Sequence, residues 1–375
     1  MSKLHIWIVC PASAKANNGN WQTGKRWARF LRTRYRVTLA GQWPADADAS
    51  GNSAGSNSAS HNPVGRNPAS RNPASRNSAS HNSAGRKTTG PNAGGPNDPA
   101  LLIALHARRS ADSLAAFAAA FPQRPAVLLL TGTDLYRDIH TDAAAQASLA
   151  GATALVLLQP AGLAELSSSL RAKSSVIYQS APSLRPAPTT RHFFDVTLIG
   201  HLRAEKDPAA FMRAAALVTT PMVRMLHIGA TLEPELGQLA ATTQAACPRY
   251  RWLGPLPHAA TRQRLKRSQL MVLTSHMEGG ANVIIEAITS AVPVLASDIS
   301  GNRGMLGDDY CGYFPVGDAA ALARLIDLCA YDAAFYARLQ VQCAARAPLF
   351  APAAEQAALL QLVDNLLHRH SQSQG

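Results

Sequence analysis

The sequence predicts an α/β protein built from two doubly wound halves, and three observations carry that reading. Short, almost wholly apolar runs such as LHIWIVC, LLIALHA and PAVLLLTG alternate with helix-patterned stretches, as parallel strands covered on both faces do. The alternation restarts at FFDVTLIG after the proline-rich APSLRPAPTTR, so the second half repeats the plan of the first. A chain of 375 residues is long enough for two domains, each burying its own core. The expected divisions are 1–180, a linker at 181–192, 193–350, and a closing helix with a tail at 351–375.

In the first half, LHIWIVCP is a buried strand, ASAKANNGNW a loop, QTGKRWARFLRTR a helix with Trp27, Phe30 and Leu31 on one face, and YRVTLAGQW the second strand. This βαβ opening carries an Asn- and Gly-rich turn where doubly wound folds bind ligands. Lys25, Arg26 and Arg29 are expected in the first turns of the helix, where cations oppose the macrodipole. Either an anionic ligand lies in front of the turn or the face is simply solvated.

From 52 to 86 the chain becomes a five-residue repeat (NPASR, NSASH, NSAGR and variants) that continues loosely to Pro99. It lacks the apolar surface to offset its ordering entropy, so a disordered, dispensable insertion is expected at about 48–99. LLIALHA resumes the sheet and ends at His106. RRSADSLAAFAAAF is a helix, and PAVLLLTGTDLY a strand ending in Thr131, Gly132, Thr133 and Asp134. Polar residues at carboxyl ends of parallel strands are where α/β sites form. ATALVLLQ and SSVIYQS complete the first sheet.

The second half opens with a strand, a loop carrying Arg203 and Lys206, and a helix starting near Pro208. VRMLHIGA and YRWLGPLP are further strands. QLMVLTS leads into SHMEGGANVIIE and then the helix VIIEAITSA. A strand, a glycine turn and a helix start aim backbone N–H groups and the positive helix end at one spot, which suits an anion. Glu278 lies on that turn, and Glu286 about one turn into the helix. A phosphate held by backbone beside a polyhydroxylated group held by carboxylates describes a sugar nucleotide. PVLASDISG follows, with Ser300, Gly301 and Asn302 facing the same cleft. The chain ends with helices, the last at about 353–368.

Composition narrows the classes further. The net charge of +13 favours anionic partners, although the insertion supplies part of it. Cys10, Cys247, Cys311, Cys329 and Cys343 show no paired metal-ligand spacing, which fits a reducing cytoplasm. No run approaches the roughly 18 apolar residues of a membrane span, so stable membrane association is not expected. The N-terminal apolar run is short, contains His5 and leads into a loop-helix pattern, so it is read as a strand rather than a signal peptide.

The pair Glu278 and Glu286, separated by seven residues with the inner EGGANV, resembles the E-x7-E motif of retaining GT-B glycosyltransferases of the glycogen-synthase and sucrose-synthase-like superfamily. That resemblance implies two Rossmann-like domains facing across a cleft, with the last helix, about 353–368, crossing back onto the first domain. It implies that Glu286 holds the nucleotide ribose and that the backbone of Asn282 and Val283 holds the diphosphate. Glu278, Gly279, Gly280 and Ala281 would contact the donor sugar, and the backbone from Gly254 to Leu256 would read the uracil. Arg203 and Lys206 would clamp the diphosphate and neutralise departing UDP without a metal or other cofactor. His106 would be the sugar-contacting histidine. His106, Glu278, Arg203 and Lys206 form the expected catalytic set.

A narrower resemblance rests on NNGNWQTGKRWARFL, LIALHARRS, LTGTDLYRDI, GHLRAEKDP, MEGGANVIIEA and SDISGNRGMLGDDYCGYFPVGD. Together they look like the selenosugar synthases of selenoneine biosynthesis, which transfer a sugar from UDP-N-acetylglucosamine or a similar UDP-sugar to selenophosphate. The acceptor would then be met by Gly19, Asn20, Trp21, Thr23, Lys25, Arg26, Arg108, Thr133 and Asp134. Selenophosphate is ionised and nucleophilic, so it needs positioning more than a general base. Two alternatives stay open: the same fold with a hydroxyl acceptor (a lipid or glycan), and a nucleic-acid-binding protein using the basic repeat. The latter lacks interleaved aromatics for stacking, and no nucleic-acid partner is expected.

Overall fold

The computed structural model describes residues 3–11, 19–44, 98–185, 187–188, 190 and 192–372. The repeat and most of the loop before the first helix lie outside them. The first sheet contains β1 (His5–Val9), β2 (Arg36–Ala40), β3 (Leu101–Leu105), β4 (Ala126–Leu129), β5 (Ala154–Leu157) and β6 (Ser174–Val176), in the order β2-β1-β3-β4-β5-β6. The second contains β7 (Phe194–Ile199), β8 (Val223–Ile228), β9 (Tyr250–Trp252), β10 (Leu270–Leu273), β11 (Val294–Ser297) and β12 (Tyr313–Phe314), in the order β12-β11-β10-β7-β8-β9. All pairings are parallel, with registers such as Ile6 opposite Leu101 and Met271 opposite Thr197. The predicted α/β architecture is thus what the chain forms. Strands such as β3 read as unbroken apolar runs because both of their faces are covered.

Strand order fixes where ligands can reach. In a doubly wound sheet the crevice opens outside the carboxyl ends of the two strands where the winding reverses. Those are β1 and β3 in the first sheet, and β7 and β10 in the second. His106 directly follows β3, while the loops bearing Lys206 and Glu278 follow β7 and β10.

The final helix, Pro352–Gln372, lies against the first domain. Leu359, Leu360, Val363, Leu366 and Leu367 form its apolar stripe and share a core with Trp27, Phe30 and Leu31 of the first helix, Gly19–Leu31. Glu355, near its start, is buried and accepts from Arg26 Nε at 2.7 Å, Trp27 Nε1 at 2.8 Å and Ser180 Oγ at 2.5 Å. Further along the closing helix, Asp364 accepts from Arg34 and Tyr35, in the turn that joins the first helix to β2.

Two expectations about the first helix are corrected here. It begins at Gly19, three residues before Gln22, so Lys25 and Arg26 lie beyond its first turn and Arg29 is in its last. There a cation complements the macrodipole, and the conflict that called for an anion disappears. Arg26 is turned towards Glu355 on the closing helix, not towards an acceptor. Among the described residues no helix is long and apolar enough to cross a membrane.

Candidate active site

The second domain supplies two loops that are stitched to each other. Lys206 Nζ donates to Glu278 Oε1, and Ser275 Oγ donates to the same oxygen at 2.6 Å. Thr274 Oγ1 donates to the Lys206 carbonyl at 2.7 Å, and His276 N to the Glu205 carbonyl at 3.0 Å. Asp207, at φ 39°, caps the helix Pro208–Leu217 by accepting from Ala210 N, so the loop ends where proline starts the helix. Lys206 and Glu278 are both largely shielded from water, where a charge-assisted contact is stronger than on the surface. Arg203 lies 3.9 Å from Glu205, and its Nε is buried with no hydrogen-bond partner among the described residues.

Next to this pair, Asn282 opens the helix Asn282–Ile288, with Ala281 as an N-cap that offers no side-chain acceptor. The N–H groups at Asn282 and Val283 therefore face forward without a cap. Glu286, on the same helix, is bound by His258 Nε2 at 2.7 Å. His258 follows the stretch 254–257, in which Gly254 takes φ +68° and accepts from Gly229 N, and the Leu256 carbonyl accepts from Thr261 Oγ1.

The first domain brings His106 to the end of β3 in a left-handed backbone conformation (φ +74°), which is strained for a residue with a Cβ. Its Nε2 lies 3.3 Å from Thr133 Oγ1 and 3.9 Å from Asp138 Oδ2. Burial lowers its affinity for a proton, against the opposing pull of Asp134 and Asp138. Arg108 and Arg137 both bond Asp138. Asn20 Nδ2 donates to Thr131 Oγ1 at 3.3 Å.

Several expected acceptor contacts are otherwise engaged. Asp134 is fully buried and accepts from the backbone N–H of Ala107, Thr131 and Gly132 at 2.8–2.9 Å, so it shapes the loop after β4 instead of meeting a ligand. Thr23 is buried, donating to the Gly19 carbonyl and accepting from Gln179. Trp21 packs against the first core. Lys25 is exposed, and Arg108 is half-exposed beside Asp138.

The two halves touch at glycines. A Cβ on Gly279 would stand 2.4 Å from the Thr131 carbonyl oxygen, one on Gly280 2.6 Å from Leu158 Cβ, and one on Gly19 3.1 Å from Asn282 Nδ2. The E-x7-E loop therefore lies directly on the ends of β4 and β5. Tyr136 stands beside this seam: its hydroxyl accepts from Gln159 Nε2 at 2.8 Å, and a Cβ on Gly304 of the second domain would stand 1.8 Å from Gln159 Oε1. Sequence reasoning missed Ser275, His258, Tyr136 and Asp138. Each stood within or beside a quoted run, but nothing local marked its partner.

At this seam Gly279→Ala places a methyl against backbone, which cannot move aside as a flexible side chain would. The domains are expected to sit further apart, with kcat/KM lowered on the order of 10²-fold. The melting temperature should hold within about 3 °C, because neither core is touched. Steady-state kinetics and small-angle scattering check this; full activity in Gly279→Ala would show that the contact is not needed.

Residues 191–345, which take in β7 to β12 and both second-domain loops, match the family model described as glycosyl transferases group 1. No curated protein matches the chain. Sucrose-phosphate synthase from Thermosynechococcus elongatus superposes with a TM-score of 0.69 at 15% identity, over 98% of this chain and 100% of that one. HepE of Anabaena, solved with UDP, gives 0.61 at 20% identity over 71% and 78% of the two chains. The pneumococcal O-GlcNAc transferase GtfA, solved with UDP and GlcNAc, gives 0.55 at 16% identity over 72% and 57%. The fold is GT-B, with two Rossmann-like domains facing across a cleft. With a group 1 domain as its second half, the chain is a glycosyltransferase.

Proposed function

We propose that this glycosyltransferase moves N-acetylglucosamine from its UDP-sugar to selenophosphate in the cytoplasm, forming a C–Se bond at C1. The observation that carries the donor half is the Lys206–Glu278 contact at the β7/β10 crevice, beside the uncapped helix start at Asn282. UDP in HepE and UDP with GlcNAc in GtfA support a UDP-sugar for this group of folds. The acceptor half is supported by the likeness of the six runs quoted above to selenosugar synthases.

In this reading Arg203, Lys206 and the N–H groups of Asn282 and Val283 hold the diphosphate, and Glu286 holds the ribose. The backbone at Gly254 and Leu256 borders the base. Glu278, Gly279, Gly280, Ala281 and His106 surround the sugar. Gly19, Asn20 and Thr133 line the acceptor side with Arg108 and Lys25. Selenium attacks C1 with a lone pair while the C1–O bond breaks and UDP leaves with that bond's electrons. Arg203 and Lys206 meet the charge that builds on the leaving oxygen, so no metal is required. The first product is a Se-phosphorylated sugar, and water then cleaves its P–Se bond to give the 1-seleno sugar and phosphate.

Mass spectrometry of the protein with UDP-N-acetylglucosamine, with and without selenophosphate, tests both halves. UDP and a sugar bearing the selenium isotope pattern should appear only with selenophosphate. UDP-sugar binding without a selenium product would leave the donor site standing and replace the acceptor with a hydroxyl compound.

A further inference from the structure

We propose that His258 is a positioning residue that sets Glu286 for the nucleotide ribose, so that recognition of the ribose hydroxyls depends on a side chain outside the E-x7-E motif. The inference rests on the reading of Glu286 as the ribose-binding carboxylate. Glu286 is mostly buried on the helix Asn282–Ile288, and His258 is half-exposed at the start of the helix His258–Leu265. Their 2.7 Å contact engages Oε1 alone; Oε2 has no hydrogen-bond partner among the described residues. A carboxylate clamped through one oxygen presents the other in a fixed direction, and the entropy of fixing it is spent before ligand arrives.

Among the described residues no other side chain holds Glu286. Arg262, one turn along the helix of His258, feels its charge, yet the guanidinium bonds the Pro182 carbonyl, Thr289 and Ser290. The charged groups acting on His258 are Glu286, from the opposing helix, and Arg262, from its own. The hydrogen bond to Glu286 favours protonated His258, against burial and Arg262, and raises its pKa. The ion pair is therefore complete below about 6.5, the ordinary histidine value, and is lost as pH rises through the raised one.

Isothermal titration with UDP and 2′,3′-dideoxy-UDP reads the ribose contribution separately from the rest of the nucleotide. The wild-type protein should prefer UDP by roughly 10- to 100-fold, as charge-assisted hydrogen bonds to the hydroxyls would give, and the preference should shrink as pH rises. His258→Ala should cut the preference about tenfold, leave dideoxy-UDP affinity unchanged and flatten the pH profile. His258→Gln, a neutral donor, should restore part of the preference without its pH dependence. A preference unchanged in His258→Ala, or an equal loss for both nucleotides, would overturn the proposal. Should Glu286→Ala leave the wild-type preference intact, the ribose reading of Glu286 itself fails, which is a separate result.

Discussion

Glu355→Ala is expected to destabilise the protein by about 3–5 kcal/mol, the cost of removing one partner from a buried ion pair. The carboxylate accepts from Arg26, Trp27 and Ser180 at once. Its loss leaves a largely buried guanidinium, an indole N–H and a hydroxyl without their acceptor, and Arg26 Nη2 already lacks one. The site also joins three pieces of chain: the first helix, the end of the first domain and the closing helix. Denaturant unfolding should show a lower midpoint, with Glu355→Gln falling between, since an amide can still accept but carries no charge. A change below about 1 kcal/mol in Glu355→Ala would mean that water replaces the carboxylate at little cost.

Lys206→Ala is expected to lower kcat on the order of 10²- to 10³-fold and to weaken UDP binding, the effect of deleting one electrostatic donor from a preorganised site. Its ammonium is the cation that touches Glu278, and Thr274 fixes its backbone, so the substitution removes charge without freeing the loop. Lys206→Arg should not restore full activity, because a planar fork does not replace a compact ammonium on Glu278. Kinetics with UDP-N-acetylglucosamine and titration with UDP check both expectations. Undiminished turnover in Lys206→Ala would remove this contact from the reaction.

Some features were legible because they are local. β3 and β10 announce themselves as short apolar runs, and Pro208 marks a helix start. The glycine turn between β10 and the helix Asn282–Ile288 is written in consecutive residues. The start of the first helix was misjudged by three residues, and with it the meaning of Lys25, Arg26 and Arg29. Periodicity fixes which face is buried more firmly than where the first turn closes.

Local chemistry was sufficient for the two-sheet α/β plan and for the two loops that meet at the β7/β10 crevice. Strand length, apolar patterning and turn chemistry act within about ten residues of chain. The partners, by contrast, came from packing in three dimensions. Arg26 meets Glu355 from 329 positions away, Asp134 is consumed by three backbone N–H groups, and Gly279 rests on the backbone of Thr131. The order of the strands also belongs to the assembled fold. A buried charge or a bare Cα is settled by whatever packing places beside it, and that neighbour leaves no mark in the local sequence.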